Sequence, residues 1–195
     1  MKLAAFLAAA LAALSLSACV AVKEPVGTSI GYVNDPALEG TWRGKSGEDK
    51  PEGYYHVLLN DDATMTVVGY APKSGDDKAS WGTLTLTTVQ LGPNRYMNVR
   101  ETGENGGPPQ GKDTAQNVPL LYRIADDRLS LFMLDDKKVA AAIRAGRIQG
   151  TITPSKVMGV TIESVAITAD GAHLDALLKR ADAPELFSPA MEMHR

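Results

Sequence analysis

Residues 38–50 read "LEGTWRGKSGEDK", and the glycines in this stretch support two incompatible readings. Counted to Gly44, the run Gly44-Lys45-Ser46 is the tail of a phosphate-binding loop. Such a loop needs four residues between its first glycine and the Gly-Lys-Ser, so that successive backbone N–H groups curl around a phosphate and lead into a helix. Here Gly40 leaves only three, and the required position holds Glu39. The continuation "GEDKPEG" is acidic and broken by proline, not helical. The nucleotide reading therefore fails, and Gly40-x-Trp42 is left as the start of a β-rich region.

Outward from that point the chain alternates with a period of two, interrupted by turns. "YYHVLL" (54–59) and "TMTVVGY" (64–70) are aromatic and β-branched, and flank Asn60-Asp61-Asp62-Ala63, a hairpin signal. "WGTLTLTTVQL" (81–91) places Leu84 and Leu86 on one face. Val89 and Leu91 have the opposite parity, which calls for a bulge near Thr87-Thr88 if all four face one core. "RYMNVRE" (95–101) follows a Gly92-Pro93-Asn94 turn. "LLYRIADDRLSLFML" (120–134) reads as a further hairpin. Two short helices are predicted in the last third. One is "DDKKVAAAIRAG" (135–146), with Val139 and Ile143 at i,i+4 and a stop at Gly146. The other is "DGAHLDALLKRA" (170–181), capped by Asp170, with Leu174, Leu177 and Leu178 on one stripe. "RIQGTIT", "VTIESVAIT" and "AMEMHR" read as strands.

Leu38-x-Gly40-x-Trp42, standing ahead of a series of alternating strands, resembles the opening of the lipocalins and related small barrels. The resemblance implies a mainly β (α+β) fold, an antiparallel lipocalin-like or partly open β-barrel. It also implies a structural plug in which Gly40 opens the first strand, Trp42 closes one barrel end and Arg195 stacks over that ring. The helix at 135–146 interrupts the eight consecutive hairpin strands of a true lipocalin.

The chain opens with Met1-Lys2 and an apolar, small-residue run to Cys19. That run is shorter than the roughly 20 residues needed to span a bilayer and has the flanks of an export signal. Leu16-Ser17-Ala18-Cys19 resembles the lipobox of bacterial lipoproteins. The resemblance implies a signal peptide at 1–18 and a diacylglyceryl-linked Cys19 as the first mature residue. Val20 in the next position implies the outer membrane, with the domain facing the periplasm. Cys19 is the sole cysteine, so no internal disulfide can form. Residues 19–37 mix Pro, Gly, Ser and Asn and read as a lipidated cysteine followed by a flexible tether, leaving 38–195 as a single β-rich domain. Loss of Lys2 with the signal leaves 19 basic against 23 acidic residues, a net charge of about −4. An acidic domain without a basic run argues against nucleic acid as a partner.

The residue types that carry chemistry are scattered. His56, His173 and His194 lack metal-ligand spacing, and the aspartate pairs 61–62, 76–77, 126–127 and 135–136 sit at turns or a helix start without the Asp-x-Asp-x-Asp-Gly pattern of calcium loops. No nucleophile elbow or cofactor fingerprint is present, so no metal, cofactor or catalytic residue is expected. The Gly/Pro-rich stretch 102–119 is the candidate lid of a barrel mouth, with His56, Tyr96 and Tyr122 as polar-tipped wall residues. Three functions remain open: a non-enzymatic, membrane-anchored binder of a small apolar or amphipathic ligand, a scaffold or accessory subunit contacting another envelope protein through a filled barrel, and an envelope hydrolase.

Overall fold

The computed structural model describes residues 20–45, 51–74, 78–108, 117–157 and 160–195. Eight antiparallel strands close into a barrel. In spatial order they are β11 (Phe187–His194), β2 (Gly40–Gly44), β3 (Gly53–Leu59), β4 (Thr64–Ala71), β5 (Ser80–Leu91), β6 (Asn94–Glu104), β7 (Val118–Ala125) and β8 (Arg128–Leu134). The barrel is closed, not partly open. Between β8 and β11 the chain makes an excursion through α1 (Asp136–Arg144), β9 (Gly150–Val157), β10 (Val160–Ile167) and α2 (Gly171–Leu178). The excursion builds a second sheet of order β1-β10-β9, completed by β1 (Ala21–Val22) in parallel with β10.

Both helices begin where the sequence signals said. Asp135 caps α1 by accepting from Lys137 N and Lys138 N, and Asp170 caps α2 by accepting from His173 N. Gly146 follows α1 at a φ of +68°, a left-handed conformation that glycine adopts without a Cβ penalty. The hairpin between β3 and β4 turns at the expected residues, with Ala63 at a φ of +60°.

Two apolar cores share the barrel wall. The inner one lines the barrel interior with Trp42, Met65, Leu84, Leu86, Met97 and Leu120 among others. The outer one, with Val89, Leu91, Tyr96, Leu121, Val139 and Leu174 among its members, lies between the wall and the second layer of sheet and helices. The second core accounts for the parity change in β5. Leu84 and Leu86 face inward, whereas Val89 and Leu91 face outward beneath the second layer. No bulge is needed at Thr87-Thr88; β5–β6 pairing runs evenly through that point, and β4–β5 pairing ends in register at Thr64↔Thr87. The bulge lies elsewhere, where β5–β6 pairing passes from Thr83↔Gly103 to Leu84↔Glu101 and skips Thr102.

The segment expected to be a flexible tether is instead part of the domain from Val20 onward. Val26 is fully buried, with its N–H donated to Asn98 Oδ1 and its carbonyl accepting from Asn98 Nδ2, both at 2.8 Å. Gly27 N and Ser29 N donate to the buried carboxylate of Asp175 at 2.6 and 3.1 Å. These partners satisfy backbone groups that would otherwise hold the segment in water. Cys19 lies outside the described residues.

Candidate functional site

The barrel encloses a cavity of about 100 Å³. Its walls are apolar throughout, with Trp42, Val57, Leu84, Met97, Leu120 and Met193 among the lining residues. One end is shut by the 3-10 turn Pro36–Leu38. Trp42, fully buried, donates Nε1–H to the Leu38 carbonyl at 2.8 Å. The guanidinium carbon of Arg195 stands 4.7 Å from the centroid of the Trp42 ring, and Arg195 donates to the carbonyls of Ala37 at 2.8 Å and Glu39 at 3.3 Å. Gly40 turns the chain into β2 at a φ of +110°, which side-chain-bearing residues rarely adopt. Beside the plug, Asp35 Oδ2 accepts from the Tyr122 hydroxyl at 2.7 Å and pairs with Arg95 at 3.1 Å. Burial, reinforced by the hydrogen bond to and charge of Asp35, pushes the Tyr122 phenol far above its ordinary value.

None of the three expected wall residues lines the cavity. His56 shares an outward parity with Tyr54 and Leu58, is exposed, and hydrogen-bonds Thr41 Oγ1 at 2.8 Å. Tyr96 is buried in the outer core, its hydroxyl donating to the Leu178 carbonyl at 2.9 Å and its ring 5.8 Å from that of Phe187. Tyr122 does point into the barrel, but its hydroxyl is consumed by Asp35 at the shut end. The stretch expected to be a lid is partly strand: β6 runs to Glu104, and Asn105 and Gly106 follow with φ of +47° and +81°. With Glu104 and Gly107 exchanging both backbone hydrogen bonds, this is a two-residue turn of the Asn-Gly kind. Residues 109–116 of that stretch lie outside the described residues.

At the end of the barrel away from the plug, sequence reasoning missed a polar rim. Opposite Gly82 on β5, Glu104 is 7% exposed and its Oε1 has no hydrogen-bond partner. Ser80, 6% exposed, also has an unpartnered hydroxyl. Glu101 pairs with Leu84, a cavity residue, and its carboxyl is raised above the usual range, first by burial and then by the charge of Glu104. The dipeptide Asn105-Gly106 was the signal that could have located this rim, since it marks where β6 must end.

A second hollow, shallower and about 520 Å³, lies on the outside over the junction of β11 and β2, bordered by Gly44, Glu52, Ser130 and His194. Leu131 and Met191 line both this depression and the internal cavity. Among the described residues no three His, Cys, Asp or Glu side chains come together as a metal site, and no helix is long and apolar enough to cross a membrane.

No protein-family model, curated protein or solved structure matches this chain.

Proposed function

We propose that this chain is a lipid-anchored envelope protein, non-enzymatic, whose barrel holds the apolar part of a small molecule. The observation that carries this reading is the wholly apolar cavity, shut at one end by Trp42 and Arg195 and rimmed at the other by polar groups. An engineered apolar cavity of about 150 Å³ stays dry and takes up benzene, so a space of this order suits one ring or a short alkyl segment. Burying four or five methylenes at about 0.8 kcal/mol each yields roughly 3–4 kcal/mol, which corresponds to millimolar binding. A tighter ligand must gain the rest at the rim.

Leu16-Ser17-Ala18-Cys19 supports attachment through Cys19 to the outer membrane, with the domain on the periplasmic side. Because Val20, the first described residue, is already packed into the domain, a lipid on Cys19 would hold the domain close against the bilayer. The paired carboxylates Glu101 and Glu104 would also suit a hydrolase. Hydrolysis of a polar envelope polymer needs a polar cleft to orient it, however, and the space below these carboxylates is apolar. The scaffold reading is favoured by one observation, a row of exposed rings on the outer face: Tyr54, Tyr70 and Trp81 are directly paired across β3, β4 and β5, and each is 44–45% exposed.

The protein purified from its own host, examined by native mass spectrometry, tests the binding reading. A retained small apolar or amphipathic molecule is expected. Ligand-free protein whose Trp42 fluorescence ignores apolar probes would move the reading to the scaffold. The anchor has its own test: Cys19→Ser removes the thioether-forming sulfur and should stop incorporation of labelled palmitate, and continued labelling would refute lipidation at this residue.

A further inference from the structure

Glu101 and Glu104 are three residues apart on a strand, a spacing that ordinarily sends side chains to opposite faces. The bulge at Thr102 changes that parity. With Thr102 skipped, Glu101 stands opposite the inward Leu84 and Glu104 opposite the inward Gly82, so both carboxylates face the barrel interior at one end. Gly82 is in turn paired with Gly69 on β4, which leaves the wall beside Glu104 without side chains. Ser80 is the diagonal neighbour of Glu104 on the same face, with an unpartnered hydroxyl. The Asn105-Gly106 turn fixes Glu104 from above: Asn105 N donates to the Trp81 carbonyl at 2.9 Å, and Trp81 N donates to Asn105 Oδ1 at 3.1 Å.

Two carboxylates on the same inward face at one barrel end, one of them with a buried oxygen unsatisfied, raise the energy of the empty site. A bound cation with several N–H donors would lower it. A divalent metal asks for six or more oxygens, more than two carboxylates and one hydroxyl supply, and would leave the apolar space below unused. An ammonium group carrying a hydrocarbon tail uses both: its N–H groups meet the carboxylates and the Ser80 hydroxyl, and its tail enters the cavity between Leu84 and Val99. We infer that the ligand class of this barrel is an amphipathic amine, its charged head held by Glu101, Glu104 and Ser80. This inference rests on the apolar-ligand reading above and goes beyond it by naming the head group.

The test uses protein carrying Trp81→Phe, which leaves Trp42 in the cavity wall as the sole tryptophan reporter. Three probes of equal tail length, n-hexylammonium, n-hexanol and n-hexanoate, are titrated at neutral pH. Charge-assisted hydrogen bonds should make hexylammonium bind about tenfold or more tightly than hexanol, with hexanoate weakest. In E101Q/E104Q the preference for hexylammonium should vanish while hexanol affinity stays within about twofold, because the cavity is untouched. E101Q alone, at the more exposed position, should reduce the preference at least about threefold and serves if the double variant does not fold. Hexanol binding as well as hexylammonium, or a preference surviving in the carboxamide variants, would overturn the inference while leaving the apolar-ligand reading in place. Binding of none of the three would instead remove the reading on which it rests.

Discussion

Replacing Trp42 by alanine removes three things at once. The indole fills the shut end of the barrel with no exposed surface, so its truncation costs about 3–5 kcal/mol. The Leu38 carbonyl loses its donor in a buried setting, which adds about 1 kcal/mol or more. Arg195 loses the ring face beneath its guanidinium, worth about 0.5–1 kcal/mol. The total, about 4.5–7 kcal/mol, reaches the lower end of the stability of a whole domain. With roughly 2–4 °C lost per kcal/mol for a domain of this size, Trp42→Ala should melt about 10–28 °C below the parent. Trp42→Phe keeps one ring but loses the N–H and part of the indole volume, and should fall between the parent and Trp42→Ala, by about 2–3 kcal/mol. Trp81, 44% exposed on the outer face, is the internal control, and its alanine variant should stay within about 1 kcal/mol. Far-UV circular dichroism is the appropriate assay, since it does not depend on the residue removed. A shift below about 4 °C for Trp42→Ala, or an equal loss for Trp81→Ala, would refute the assignment of Trp42 as the barrel plug.

Asn98→Ala should cost about 3 kcal/mol, because it strands the buried N–H and carbonyl of Val26, each worth about 1–3 kcal/mol. The amide of Val26 should then exchange with deuterium much faster, and a loss under about 1 kcal/mol would show that residues 20–35 do not depend on this contact. Glu101 predicts a pH effect whose sign follows from its raised folded-state pKa. The folded protein holds that proton more tightly than the unfolded chain, so the contribution is full below the unfolded pKa and is lost as pH rises through the folded one. Glu101→Gln should therefore be more stable than the parent at neutral pH, with the difference shrinking toward pH 4 in urea titrations. A constant or opposite difference would argue against two crowded carboxylates.

Strand alternation and turn chemistry made most of the barrel legible, but not which face of a strand is inner. In β3 both parities are partly apolar: Tyr54 and Leu58 on one side with His56, and Tyr55, Val57 and Leu59 on the other. Alternation groups His56 correctly with its neighbours, and only closure of the barrel turns that group outward. Tyr96, Val89 and Leu91 misled for a related reason. Their stretches of β5 and β6 are buried on both sides, and two-sided burial erases the polar phase that fixes orientation. The segment 20–37 reads as linker by composition because its stabilising partners, Asn98 and Asp175, lie 72 and 148 residues away from Val26 and Gly27. The rim was hidden because a single unpaired residue, Thr102, changes the parity of Glu104, and a bulge leaves little trace in a residue count.

The ring of hydrogen bonds around the barrel is uneven. β11 runs beside β8 over seven register positions, broken at Pro189/Met191, yet meets β2 through only Met193↔Gly44 and His194↔Arg43. Beyond those two pairs, the Leu131 and Met191 side chains border both the cavity and the outer hollow. Methionine is unbranched and changes rotamer readily. The β11–β2 flank is therefore where the ring has the fewest ladder bonds to lose: swinging Met191 aside breaks none, whereas parting any other pair of barrel strands breaks several. A guest could enter and leave through the flank while the Trp42 plug and the carboxylate rim stay fixed, so the rate of exchange and the strength of binding would be set by different residues and could be tuned separately by mutation.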